Sequence, residues 1–135
     1  MKALIAEDDF INRRVMQLFL AGYGKCDVAD NGKTALSMVQ EAQTNKKPYS
    51  LICLDAKLPE LDGQELLKEI RKLEKNQAVF GKDGARVIFL SSDAKKEMLI
   101  NAFRAQCDGF MLKPFRKREL IHFLKEQGLI EDLSN

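Results

Sequence analysis

The feature that most constrains the fold is an alternation. Five short apolar runs are each followed by a longer stretch whose apolar residues recur at helical spacing. The runs predict strands over 2–6, 25–29, 50–55, 86–91 and 108–112. The stretches predict helices over 10–21, 32–44, 63–75, 95–105 and 115–127. Repeated strand-then-helix units build a parallel sheet, because a parallel neighbour needs a crossover long enough to hold a helix. The runs Leu51-Ile52-Cys53-Leu54 and Val87-Ile88-Phe89-Leu90 do not alternate with polar residues, as expected of strands covered on both faces. The expected class is therefore α/β. At 135 residues, without repeat, low-complexity segment or linker, the expected organisation is one domain over 1–135.

In the first helix, Ile11, Val15, Leu18 and Phe19 recur on one face and are expected to meet the core, with Gly22 or Gly24 ending the helix. Asn31-Gly32 makes a turn before the second. In the third, Leu66, Leu67, Ile70 and Leu73 form the expected buried stripe, while Arg71, Lys72, Glu74 and Lys75 read as solvated. Residues 76–85 read as a long loop. Its Gly81-Lys82-Asp83-Gly84 stretch lacks the spacing of a phosphate-binding loop and reads as a turn. A formal charge of +2 argues against nucleic-acid binding. No apolar run approaches the roughly 20 residues that span a bilayer, and Met1-Lys2-Ala3 enters a strand without a signal-peptide pattern. Cys26, Cys53 and Cys107 are an odd number without metal-ligand spacing and read as reduced thiols. The expected location is cytoplasmic, with neither nucleic acid nor membrane as partner.

The chemistry lies at the predicted strand ends. The first strand runs into Glu7-Asp8-Asp9 and the third into Asp55, followed by Pro59 and an Asp62-Gly63 turn. The fourth ends on Ser91 and the last on Lys113-Pro114-Phe115. In open parallel sheets, residues at the carboxyl ends of strands face the crevice where ligands bind. Two carboxylates about 5 Å apart repel by roughly 3 kcal/mol at an effective dielectric of 20, so such a cluster needs a cation, a shared proton or a buried base. Mg²⁺ suits it, since that ion prefers oxygen ligands and takes one or two carboxylates plus phosphate oxygens. The lone His122 lies in the last helix, and no His or Cys cluster points to a transition metal. A carboxylate beside Mg²⁺ is also a nucleophile toward a phosphoryl group, giving an aspartyl phosphate. Lys113 and the Ser91 hydroxyl are suited to meet the phosphoryl oxygens.

Two other chemistries fit less well. An Mg²⁺-dependent phosphatase with an aspartyl nucleophile resembles the haloacid-dehalogenase type, which carries a second Asp two residues on, where this chain has Lys57. A flavin carrier of similar fold would want a Ser/Thr/Gly-rich first loop, and Glu7-Asp8-Asp9 would repel the flavin phosphate.

On Glu7-Asp8, Asp55 with Pro59 and Asp62-Gly63, Ser91 and Lys113-Pro114-Phe115, the chain resembles the receiver domain of two-component response regulators over essentially its full length. The resemblance implies a flavodoxin-like, three-layer (βα)5 sandwich with a parallel five-stranded sheet in the order 2-1-3-4-5. It implies a phosphoacceptor signalling protein rather than an enzyme acting on external substrates. Asp55 would take phosphate from a sensor histidine kinase or a histidine phosphotransfer protein, and the chain would signal to a target protein or pass the phosphate on. The Mg²⁺ ligands would be Asp8, Asp55 and the backbone carbonyl of Lys57, with Glu7 acting through water. Asp8-Asp9 is the alternative acidic pair. With Glu7-Asp8 as the pair, Asp9 is left as a helix N-cap, a role that suits Asp.

By the same resemblance Lys113 would bridge the phosphoryl group, and the Lys113-Pro114 bond would be cis. Ser91 would move toward the phosphoryl group and make room for Phe110 to rotate inward. Lys57 and Asp93 would flank the entrance, where pairing of their charges would lengthen the lifetime of the phosphorylated form. Leu99, Phe103 and Phe110 would belong to the partner face built from the fourth helix, last strand and last helix. Arg116, Lys117 and Arg118 read as a solvated cluster at the start of that helix. A degenerate receiver working without phosphate is disfavoured by the complete set of acids, hydroxyl and Lys.

Overall fold

The computed structural model describes residues 1–79, 83–93 and 95–131. The chain alternates β1 (Lys2–Ala6), α1 (Phe10–Leu20), β2 (Lys25–Ala29), α2 (Gly32–Thr44), β3 (Leu51–Asp55), α3 (Gly63–Asn76), β4 (Arg86–Ser91), α4 (Lys96–Arg104), β5 (Gly109–Leu112) and α5 (Lys117–Glu126). The strands are all parallel and lie in the order β2-β1-β3-β4-β5, as the flavodoxin-like reading expects.

Alternate strand residues supply two cores. Leu4, Ala6, Ile52, Leu54, Val87 and Phe89 pack with buried residues of α2, α3 and α4. Ala3, Ile5, Leu51, Cys53, Ile88 and Leu90 pack with Met16 and Leu20 of α1 and Leu120 and Leu124 of α5. Every residue of β3 is buried, as befits a central strand covered on both faces. Asp9, Asn31 and Asp62 cap α1, α2 and α3, their side chains accepting from the backbone N–H of Asn12 at 3.0 Å, Thr34 at 2.8 Å and Glu65 at 2.9 Å. The cysteines are all free, Cys53 and Cys107 buried and Cys26 half-buried. Part of the Gly81-Lys82-Asp83-Gly84 stretch lies outside the described residues.

Two expectations are overturned. The buried row of α1 is Met16 and Leu20, with Phe19 half-buried in an edge-on contact with Phe115. Ile11, Val15 and Leu18, together with Phe10, are exposed. The helix bears two neighbouring apolar rows, and the turn from β1 through the Asp9 cap decides which one meets the sheet. On α3, Leu66, Leu67 and Ile70 are buried as expected, but Glu74 is buried too. Arg71 is clasped rather than solvated. It donates to Glu74 Oε1 at 2.7 Å, Asp108 Oδ2 at 2.9 Å, and the carbonyls of Ala85 at 2.8 Å and Gln106 at 3.0 Å.

Candidate functional site

Register places the strand ends side by side. Ala6 pairs with Leu54, so the next residues, Glu7 and Asp55, are neighbours at the sheet's carboxyl edge. Asp55 pairs with Leu90, and Ser91 with Leu112, so Ser91 and Lys113 follow on the same edge. Glu7 is fully buried and Asp55 nearly so, whereas Asp8 and Asp9 are exposed. Gly63 lets the β3–α3 loop fold back on Asp55: its N–H donates to Ala56 O at 3.1 Å, and a Cβ there would lie 2.3 Å from Asp55 O.

Carboxylate oxygens of Glu7, Asp8 and Asp55 lie within 4.8 Å of one another. Of the two possible acidic pairs, this cluster takes Glu7 and Asp8, while Asp9 turns away to cap α1. Lys113 Nζ lies between two of the acids, hydrogen-bonded to Glu7 Oε1 and 3.0 Å from Asp55 Oδ2. Burial first, and then the neighbouring Asp55, push the Glu7 carboxyl up from an ordinary 4.5 to about 7, against the pull of Lys113. Burial pulls the Lys113 ammonium down, but its hydrogen bonds and attraction to Glu7 and Asp55 outweigh this and hold it above its usual value. Three clustered acids with one ammonium on two of them leave the site rich in oxygen donors, the kind of set that Mg²⁺ takes.

The other residues singled out lie around this cluster. Lys57 is exposed, and its backbone N–H points at Asp55 Oδ1 at 3.4 Å. Ser91 is buried with its hydroxyl in the β4–α4 loop: it accepts from the Asp93 N–H at 3.0 Å and lies 3.3 Å from Met98 Sδ. Asp93 takes Lys95 as its partner, 3.7 Å between charged atoms, rather than Lys57. Its other oxygen accepts from the Lys95 N–H at 3.2 Å, so a neighbour already held in the loop wins. Phe110 is half-buried and stacks on the buried Phe89 with ring centroids 5.8 Å apart. Leu99 and Phe103 face outward with Ile100 and Leu112. Arg116, Lys117 and Arg118 are exposed. The Lys113-Pro114 peptide bond is cis.

Two clefts are lined by other members of the cluster. One, of about 590 Å³, is bordered by Asp8, Lys57, Asp62 and Met98. The other, of about 440 Å³, has Glu7 and Lys113 with apolar walls of Val15, Phe19 and Phe115. The second cleft and Arg13, which bonds the carbonyls of Glu7 and Asp8, were not legible in the sequence. Arg13 and Arg14 read alike there, and only the rotation of α1 separates them.

The chain matches the response regulator receiver domain family over residues 3–125. It is 32% identical over 117 residues to chemotaxis protein CheY-3 of Vibrio cholerae, covering 85% of this chain and 82% of that one. It is 30% identical over 123 residues to the probable transcriptional regulator ycf29 of Porphyra purpurea, covering 90% of this chain but only 54% of that relative. Its fold superposes on the crystal structure of the receiver domain of the histidine kinase CKI1 from Arabidopsis thaliana complexed with Mg²⁺ and BeF3⁻. That likeness has a TM-score of 0.80 at 28% identity, over 94% of this chain and 89% of that one.

Proposed function

The chain belongs to the response regulator receiver family, and on that premise we propose that Asp55 accepts a phosphoryl group from a histidine-phosphorylated protein, with Mg²⁺ as cofactor. The observation that carries this reading is the convergence of Glu7, Asp8, Asp55 and Lys113 at one edge of the sheet. In the transfer a carboxylate oxygen of Asp55 attacks phosphorus, the bond to the donor imidazole nitrogen breaks, and the histidine leaves neutral. Asp8, Asp55 and the Lys57 carbonyl would hold the cation, with Glu7 acting through water. When bound, the cation supplies neutralisation of the phosphoryl charge. Lys113, already beside Asp55, would follow the phosphoryl oxygens as a point charge.

Val15 of α1 lines the cleft that reaches Glu7 and Lys113, and Phe10, Ile11 and Leu18 are exposed on the same helix. Arg13 and Arg14 lie on α1 too, and Arg116 stands at the start of α5. A sensor kinase or phosphotransfer protein with an apolar, acid-rimmed surface would seat there. Output would use the other apolar face, where Leu99, Phe103 and Phe110 change setting as Ser91 leaves Met98 for the phosphoryl group. Lys57 and Asp93 would tune the lifetime at the entrance, with Lys95 competing for Asp93.

The test is intact-protein mass after incubation with acetyl phosphate and Mg²⁺. The parent is expected to gain one phosphoryl group, lost when EDTA replaces Mg²⁺ and missing in Asp55→Asn. No gain in the parent would sink the reading.

A further inference from the structure

The β1–α1 turn that bears Glu7 and Asp8 is tied at several points. The Glu7 N–H donates to Ala29 O at 3.0 Å, and the Asp9 carboxylate caps α1. Those ties act on Glu7 and Asp9, not on Asp8. Asp8 is reached by Arg13, one helical turn further on. Its Nη1 donates to the Glu7 carbonyl at 3.0 Å and lies 3.4 Å from the Asp8 carbonyl, while the guanidinium sits over the Phe10 ring, 5.6 Å from its centroid.

We propose that Arg13 is a positioning residue for the cation site. By gripping the two carbonyls it fixes the turn so that the exposed Asp8 carboxylate stays within reach of Glu7 and Asp55. This rests on the reading of those acids as the Mg²⁺ site. Outer groups that orient metal ligands act in this way, and their loss weakens metal binding without touching a ligand.

Charge alone and positioning by Arg13 act on Mg²⁺ binding with opposite signs. Arg13 is a cation beside an acidic cluster, so by Coulomb's law its removal should strengthen Mg²⁺ binding. If Arg13 acts by positioning, its removal weakens binding instead. Arg14 is the matched control: it has the same charge, is exposed, and makes none of the contacts to the turn.

The experiment is calorimetric titration of Mg²⁺ into the unphosphorylated full chain, with thermal unfolding of each variant alongside. Arg13→Ala is expected to bind about tenfold more weakly, near the lower end for such outer groups because the contact is partly solvated. Arg13→Lys keeps the charge but loses the planar fork, and should recover only part of the affinity at the parent's Tm. Arg14→Ala should bind as the parent does, or slightly more tightly. Parent-like or tighter binding by Arg13→Ala overturns the inference. If Arg13→Ala fails to fold, parent-like binding by Arg13→Lys overturns it equally. Asp8→Asn separates the two readings. If it abolishes binding while the Arg13 variants match the parent, only the positioning role falls. If the parent takes up no Mg²⁺, both fall.

Discussion

Two partly buried charge clusters sit at opposite ends of the sheet, and they are built to opposite effect. At the amino end of β4, Arg71 meets Glu74 and Asp108. Both acids also accept backbone N–H groups, Glu74 from Ala85 and Asp108 from Val87, each at 2.7 Å. Arg71 also donates to the carbonyls of Gln106 and Ala85. The clasp therefore locks α3, β4 and the α4–β5 turn together and leaves little for a ligand to satisfy. At the carboxyl ends of the strands, three acids cluster and two of them, Glu7 and Asp55, share one lysine. The Asp55 carboxylate accepts the Lys57 backbone N–H only at a long 3.4 Å, and Glu7 is pushed up to about 7. Burial of charge is common to both. Each cluster also borders a cleft, the one at Arg71 of about 640 Å³, so what distinguishes a site from a staple is unmet demand for positive charge.

That contrast can be broken most sharply at Arg71. Arg71→Met leaves Glu74 buried without its partner and is expected to cost about 3 kcal/mol in urea unfolding. The folded fraction should still take phosphate from acetyl phosphate at the parent's rate; a slow rate would mean the two ends are coupled. Asp55→Asn should do the reverse, abolishing the label while stabilising the fold by about 1 kcal/mol, because it relieves repulsion that function requires. A loss of stability there would show that the site is not frustrated.

A smaller effect follows from Glu7. Between 4.5 and about 7 the folded chain holds a proton that the unfolded chain has released. Without divalent metal, stability should therefore fall as pH rises through that window. Thermal melts from about pH 5 to about pH 8 should show this slope in the parent and a flatter one in Glu7→Gln. Equal slopes would place the raised carboxyl elsewhere. The smallest effect on the fold belongs to the α1 surface, where Ile11→Ala should move stability by no more than about 0.5 kcal/mol. It should slow transfer from a phosphorylated histidine donor and leave the acetyl phosphate reaction unchanged. Equal slowing of both would place Ile11 in the chemistry rather than in docking.

Much of this is legible in the sequence, because it depends on neighbours along the chain. Apolar runs ending on Asp55, Ser91 and Lys113 give strands with those residues at their tips, since a strand delivers its last residue to the sheet edge. Asp9, Asn31 and Asp62 read as caps or turns, since a cap bonds an N–H only three residues on. The spacing on α3 placed Leu66, Leu67 and Ile70 correctly, because that helix has one dominant apolar row.

Only the tertiary structure decided the rest. Periodicity says which residues share a row on α1, but not which row meets the sheet, and so Met16 and Leu20 went inside while Ile11 and Leu18 stayed out. Charge on α3 reads as solvation until partners arrive from far along the chain. Glu74 meets the Ala85 N–H 11 residues away, and Arg71 meets Asp108 at a separation of 37. Asp93 could be assigned a charge from its letter but not a partner, and its ion pair is with Lys95, two residues on, whose N–H it also accepts. Residue chemistry and local spacing determine what each segment offers. Helix rotation and long-range pairing depend on competition among elements for the same surface, and that competition is settled only when all of them are packed.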